Sequence, residues 1–475
     1  MSTITDTPAE ALSVRFGATL AGRLDADTER LDWDAGKLRR FQRDELRRLL
    51  VGAVERSPFH ARRLRGIDPE RFELEQLAEL PVMSKEQMMS SFDELLTDRR
   101  LTRARVERHL AALGTEPRLL DGDYVCLASG GSSGLRGLFV QKLEEYLEFV
   151  ACIIRRGMAG VIAAGGPPPG GHPIAIVAAA GPVHSSGFCA AVATGYPVRM
   201  IPAPATLPVA EVARRLNEAQ PPVLLAHTSK LVTLAAEQRA GRLRIAPRAI
   251  TAMAETVTAE DRATIEASFG IPLITQFTST EGLVGHSDPG GDVVSFAGDA
   301  CLVELVDSNN QPVPEGVASA KALVTNIHNH TQPLIRYELT DRFIRHPSAR
   351  SGAVRASVEG RADDVFHYGD VAVDPLVIRT VMVRTAAALE YQVHQTARGI
   401  DIAIIAEGEL NPAALTSALG QSLQAAGLPN PEVRLRNITD IARHPETGKA
   451  RRFIPLGGGH RRWEYPPADT LATPS

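Results

Sequence analysis

At 475 residues, 44% of them hydrophobic, the chain is too long for one core and rich enough in apolar side chains to bury more than one. Its 52 basic residues are nearly balanced by 56 acidic ones, and the net charge of −4 offers no field for holding nucleic acid. The apolar region from Ile174 to Val198 is broken by Pro182, His184 and several glycines before about twenty apolar residues accumulate, so no membrane span is expected there.

The opening Met1-Ser2-Thr3-Ile4-Thr5-Asp6-Thr7 has neither the basic nor the apolar part of an export signal. Cys126, Cys152, Cys189 and Cys301 show no metal-type or framework spacing. A cytoplasmic protein with small-molecule partners is expected, with neither nucleic acid nor membrane among them.

Residues before about Leu31 are polar and mixed, and read as a loosely fixed start. From Lys37 a helical stripe sets in with Leu38, Phe41, Leu46, Leu49, Leu50, Ala53 and Val54, and Ser57-Pro58 ends it. Leu80-Pro81-Val82-Met83-Ser84-Lys85-Glu86 then offers Ser84 as a helix N-cap.

After the apolar run Tyr124-Val125-Cys126-Leu127 comes Ala128-Ser129-Gly130-Gly131-Ser132-Ser133-Gly134-Leu135-Arg136-Gly137. Its glycines let backbone amides approach an anion, its hydroxyls can donate, and Arg136 supplies a guanidinium, which together make the chemistry of a phosphate cradle. The Walker pattern is absent, with Leu135 where many nucleotide loops carry lysine. Read alone, the same run also suits a flexible surface loop.

From Lys142 to Arg156 a helix is expected, and then strands and helices alternate. Ile174 to Ala178, Pro222 to Ala226 and Ile271 to Thr275 read as strands buried on both faces. Val209, Val212, Ala213 and Leu216 mark one helix, Thr228 to Gln238 a second, and Thr258 with Asp261 a capping box opening a third. This pattern predicts an α/β fold with a mostly parallel sheet, whose ligands sit at the carboxyl ends of the strands. Both the Ser/Gly run and Gln276 to Glu281 are expected at such ends.

Near Asp299 the texture becomes β-rich, with strands at Cys301 to Val306 and Ala322 to Asn326 on either side of the Pro312 to Gly316 turn. A break at Gly360-Arg361-Ala362-Asp363-Asp364 divides the chain into an N-terminal domain, 1–360, and a small α+β C-terminal domain, 361–475. In the latter, Ile400 to Ala406 and Val433 to Asn437 are strands, Ala413 to Ala426 a helix, and a loop carries Lys449. His328 and His330, two apart without a cysteine nearby, make a poor zinc pair.

Four segments stand in a recognisable order. Ser129 to Gly137, then Thr278-Ser279-Thr280-Glu281-Gly282, then Pro333 to Asp341 with Gly360 to Asp364, and last Gly448-Lys449-Ala450 resemble the successive core motifs of the adenylate-forming (ANL) superfamily. Glu55 to His60 and Leu80 to Lys85 resemble its phenylacetate-CoA ligase and coenzyme F390 synthetase branch, so the likeness runs over most of the chain.

The resemblance implies ATP-dependent activation of a carboxylic acid, an aromatic one among the options, as an acyl-adenylate with release of pyrophosphate. Transfer to a thiol, of CoA or a carrier protein, would follow. It implies that Ser129, Gly130, Gly131, Ser132, Ser133 and Gly134 hold the β- and γ-phosphates, with Arg136 in place of the usual loop lysine. Thr280 would donate to the α-phosphate and Glu281 would hold Mg²⁺. Asp341 would grip the ribose hydroxyls, Arg361 contact the nucleotide and Asp363 act as the hinge. Lys449 would reach into the site to stabilise the transferring adenylyl group.

His184 and Phe277 are candidates for the acid pocket, His184 equally suiting a core or loop position. Arg336 is read either as part of the site or as one half of a structural ion pair. Lys449 beside Arg451 and Arg452 also fits a solvated basic cluster. The oligomeric state stays open, a homodimer among the options.

One departure stands out. Aligned on Pro375, Gly369 replaces the branch's arginine and Asp370 its glycine, at the passage for the pantetheine arm of CoA. A carboxylate there narrows and charges the thiol's path, which keeps open a nitrogen nucleophile as acceptor, while the departures at Leu135 and Thr278 keep open a non-catalytic nucleotide-binding relative, opposed by Glu281, Asp341 and Lys449.

Overall fold

Leu12, Phe16, Leu20 and Leu24, spaced four apart, turn the polar start of the chain into a packed helix, Pro8–Glu29. The computed structural model describes residues 8–129, 137–179, 181–361, 364–373, 375–382, 385, 387–406, 409–443 and 451–456, and it buries all four. This corrects the expectation of a loose start. A stripe one residue wide leaves the average composition polar, yet it suffices to dock a helix. Arg23 near its far end and Arg30 just beyond it reach Asp27, Glu148 and Asp299, and Asp299 is also held by the buried Arg155.

The Ala35–Arg56 helix begins at Asp34, whose side chain accepts from the Lys37 amide, and ends at Ser57, which in turn caps the short Pro58–Arg63 helix. Ser84 and Gln87 form a reciprocal capping box at the start of Lys85–Ser90. Lys85 is therefore the first residue of a helix, held on a fixed stem.

β1 (Tyr124–Ala128) and β2 (Leu138–Lys142) pair antiparallel as a two-stranded sheet. The Ser/Gly run thus joins the arms of a hairpin rather than leaving a strand of the parallel sheet. A helix follows from Leu143 to Ala163.

Beyond it come β3 (His172–Val177), β4 (Val198–Pro202), β5 (Val223–His227), β6 (Ala249–Met253) and β7 (Leu273–Thr278), all parallel, in the order β7-β6-β5-β3-β4. The helices Val209–Ala219, Thr228–Arg239 and Ala259–Phe269 lie between them as the alternation predicts. Thr258 and Asp261 close the expected capping box on the last of these. Thr258→Ala is expected to cost about 1 kcal/mol, typical of a lost N-cap, read as a lower chemical-denaturation midpoint.

The sheet then continues antiparallel. β8 (Val284–Ser287) and β9 (Val293–Phe296) fold back on β7. β10 (Cys301–Val306), β11 (Lys321–Asn326) and β12 (Tyr337–Leu339) form a separate three-stranded sheet, the β-rich unit expected near Asp299. β13 (Asp341–His346) and β14 (Arg355–Arg361) return to the edge beside β9. Among the described residues the large sheet has nine strands, parallel on one side and antiparallel on the other. Short strands of about four residues carry too little periodicity to be read in advance.

β15 (Phe366–Tyr368) and β16 (Val371–Val373) make a small hairpin. β17 (Ala388–Gln395), β18 (Gly399–Ala406), β19 (Glu432–Asn437) and β20 (Phe453–Ile454) form a four-stranded sheet in the order β19-β18-β17-β20. The Pro412–Ala425 helix buries Leu415, Leu419 and Leu423 with Phe366, Val393, Ile402 and Phe453 in a core drawn wholly from residues 366–453. Among the described residues, no helix is long and apolar enough to cross a membrane.

Candidate active site

Three segments far apart in sequence are built into one plank. Met83 and Tyr337 form a β-bridge, the Met83 amide donating to the Arg336 carbonyl at 3.0 Å and the Glu338 amide to the Met83 carbonyl at 2.9 Å. Arg336, held at φ +48, donates to both carboxylate oxygens of Glu304 at 2.9 and 3.0 Å and to the carbonyls of Ala78 and Leu80. Of its two readings the structural one is therefore realised, with Glu304 as partner.

Arg63 joins the same plank, donating to the carbonyls of Pro81 and Ile335, and His60 meets the Pro333 carbonyl at 2.9 Å. Burial, reinforced by the charge of Arg336, pulls the Arg63 guanidinium down to about 10. Burial likewise lowers His60 to about 3, so it stays neutral. These are structural groups.

Their product is the placement of Lys85. Its ammonium lies 3.3 Å from Ser129 Oγ, which itself accepts from the Gly137 amide at 2.8 Å and so sits at the neck of the Ser/Gly loop. The Lys85 charge also acts on Glu281. Sequence reasoning missed this lysine as a site residue. The signal available was the N-cap at Ser84, which fixes where the next side chain departs, but the Met83–Tyr337 bridge that aims it is not visible along the chain.

Thr280 and Glu281 follow the carboxyl end of β7, both half-buried. Burial raises the Glu281 carboxyl above the ordinary glutamate value, the charge of Asp341 adds to the rise, and Lys85 opposes it. The turn is locked from behind, because Asn326 Nδ2 donates to the Glu281 carbonyl at 2.8 Å. Gly282, at φ +104, must be glycine: a Cβ there would come within 2.1 Å of that same amide nitrogen.

The hairpin carrying the Ser/Gly loop is held by the same stretch. Gln332 pairs with the Val140 amide at 2.7 Å and the Leu138 carbonyl at 3.0 Å, and Asn329 with the Val140 carbonyl at 3.1 Å. Asn326, Asn329 and Gln332 thereby tie β2 to the Glu281 turn.

His184 precedes the Ser185–Val192 helix, its Nδ1 3.3 Å from the Ala128 carbonyl at the end of β1. Phe277 packs edge-on against Phe343 and Phe296, with ring centroids 5.1 and 6.0 Å apart. Asp341 opens β13, opposite Arg361 in register, and its charge reaches Glu281. Gly130, Gly131, Ser132, Ser133, Gly134, Arg136, Asp363 and Lys449 lie outside the described residues, and of Arg361 only the backbone is described. Ser129, Lys85, Glu281 and Asp341 are what the structure gathers. Two acids and an ammonium around a glycine-rich neck can hold a polyanion with its cation.

No protein-family model and no curated protein matches the sequence. Solved structures do. 2-Hydroxyisobutyryl-CoA ligase in the postadenylation state, in complex with 2-HIB-AMP, superposes over 89% of this chain and 90% of its own, with a TM-score of 0.65 at 17% identity. The fold is that of the adenylate-forming ligases. The same ligase with 2-HIB-AMP and CoA in the thioesterification state covers the same shares at 18% identity, with a TM-score of 0.52. An ATP-bound RpMatB-BxBclM chimera covers 67% of this chain and 65% of its own, with a TM-score of 0.50 at 15% identity.

Proposed function

We propose that the protein activates a carboxylic acid with ATP, forming an acyl-adenylate and releasing pyrophosphate, and then passes the acyl group to a thiol such as that of CoA. The observation that carries this is the convergence of Lys85, Ser129, Glu281 and Asp341 in a fold shared with ligases crystallised with an acyl-AMP.

The chemistry asks for that set. A carboxylate attacking a triphosphate is opposed chiefly by like charge, so the site needs donors and cations placed before reaction. Lys85 supplies one ammonium at the neck of the loop, and Arg136, in place of the usual loop lysine, supplies a guanidinium. Thr280 donates to the α-phosphate. Asp341, as an acceptor-only group, takes the ribose hydroxyls.

Mg²⁺ fits Glu281. A recessed carboxyl pushed toward its neutral form by burial and by Asp341 is a hard oxygen donor that gains from a divalent cation, which would neutralise phosphate charge when bound. Lys449 then steadies the transferring adenylyl group from the C-terminal unit, whose own core begins at Phe366 and supports a division near residue 361. The joined Glu55 to His60, Leu80 to Lys85 and Pro333 to Asp341 segments favour the phenylacetate-CoA ligase branch.

A second reading concerns the acceptor. Gly369, at φ +61, and Asp370 form the turn of the β15–β16 hairpin, and Asp370 is exposed. A carboxylate presented there repels an anionic CoA arm and favours a nitrogen nucleophile, giving an amide-type product.

Pyrophosphate release across aryl, amino-aryl and alkyl acids, with mass spectrometry of products formed with and without CoA or amines, tests both. No release with any acid would refute acid activation, and a CoA-independent amide would decide for the second acceptor. Lys85→Ala is expected to raise KM for ATP about tenfold, the worth of one charge-assisted hydrogen bond, with an unchanged melting temperature. An unaltered KM would remove Lys85 from the phosphate site.

A further inference from the structure

A line of hydrogen bonds crosses from the C-terminal unit to the ends of the parallel strands. Arg443 donates to both oxygens of Glu390 at 2.8 and 2.9 Å and to Ser229 Oγ at 2.8 Å. Ser229 passes the contact on, its hydroxyl donating to Glu255 at 3.2 Å and its amide to the other Glu255 oxygen at 2.8 Å. Ser229 is the second residue beyond β5 and Glu255 the second beyond β6, so the contact lands on the carboxyl edge where the candidate site lies. Ala254, beside it, is held at φ +65, a strained conformation for a residue with a side chain.

The charges make this contact conditional. Glu390 is buried, and the charge of Glu255 reinforces burial in pushing its carboxyl up while Arg443 opposes both. Arg452 also acts on Glu390 and Lys230 faces both acids, and of these three cations Arg443 is the one hydrogen-bonded to Glu390 and to Ser229. A second contact lies nearby on the same interface, with Arg452 3.4 Å from Asp261 and its guanidinium 4.9 Å from the Tyr391 ring. The two arginines flank residues 444–451 in the sequence, the stretch that includes Lys449.

We propose that Arg443 is a positioning residue that seats the C-terminal unit on the β5 and β6 ends for the acid-activating step. This rests on the function proposed above. The arrangement of the chain, nearer the postadenylation than the thioesterification form of the ligase it superposes on, supports it. Arg443 touches no reacting atom. It keeps Glu390 and Glu255 from repelling and so holds the seat from which Lys449 is delivered.

The test uses the full-length protein and its Arg443→Gln, Arg443→Lys and Ser229→Ala variants. Acid-dependent ATP–pyrophosphate exchange is read with kcat and KM for ATP separated, and seating is read by small-angle scattering or by energy transfer between labels on the two units. Arg443→Gln is expected to lower kcat for exchange about tenfold to a hundredfold, the usual cost of slight misplacement, with KM for ATP held and a more extended scattering profile. Arg443→Lys recovers part of the rate. Ser229→Ala, which leaves the C-terminal core untouched, moves both readouts the same way by a smaller factor and carries the test should Arg443→Gln fail to fold.

Wild-type kcat and seating in both Arg443→Gln and Ser229→Ala would overturn the assignment, as would a change confined to KM. A wild type that exchanges no pyrophosphate with any acid overturns the function itself and this role with it. An active wild type with an indifferent Arg443→Gln overturns this role alone.

Discussion

Lys449→Ala is expected to lower the rate of pyrophosphate release by about a hundredfold to ten-thousandfold while leaving the melting temperature and circular dichroism unchanged. The reasoning is one of charge at the moment of transfer. An ammonium that meets the adenylyl group only as charge develops lowers the barrier without adding much to ground-state binding, so kcat falls and KM for ATP moves little. Lys449→Arg would keep the charge but not the compact point donor, and should recover only part of the loss. The acid panel supplies the control, because a lysine that acts on the phosphate must matter equally for every acid accepted. Wild-type kinetics in Lys449→Ala would remove this residue from the reaction.

Three of the five parallel strands were legible because they are continuous apolar runs, whereas β4, with Arg199 exposed within it, and β6 were not read. Ile174 to Ala178 and Pro222 to Ala226 announce themselves as continuous runs, and the helices between them carry wide stripes or, at Thr258 and Asp261, a capping box. The antiparallel half hid for the opposite reason. Val284–Ser287 and Val293–Phe296 have four residues each, one mixing glycine and histidine, and only their pairing to β7 and β14 makes them strands.

The site divides along the same line. Motif order pointed to Ser129, Thr280, Glu281 and Asp341, the first three in loops of unusual composition and Asp341 at the head of β13. Lys85 has ordinary neighbours, and its aim depends on Arg336 and Tyr337, which reach it only after the chain has folded back over the intervening domain. Arg336 shows the reverse error of emphasis: it stands inside a motif, yet its guanidinium is spent on Glu304 and two carbonyls. A residue can belong to a motif because it positions another motif.

Glu281→Gln separates function from stability in a single substitution. Burial and the Asp341 charge raise the folded carboxyl above the ordinary 4.5, so the folded chain binds that proton more tightly than the unfolded chain does. The sign follows from linkage. The stabilisation is complete below the unfolded value and is lost as pH rises from there through the folded one, which leaves the ionised carboxylate a burden at neutral pH. Glutamine removes the charge, so the variant should melt at the wild-type temperature or above it at pH 7, the difference vanishing toward pH 4. Its pyrophosphate release should nevertheless fall about a hundredfold to a thousandfold, because a neutral amide holds Mg²⁺ poorly beside a triphosphate. Magnesium and ATP together should raise the wild-type melting temperature more than that of the variant, since only the carboxylate recovers its cost on binding. A destabilised variant with full activity would reverse both assignments, making Glu281 a structural acid and leaving the cation to some other ligand.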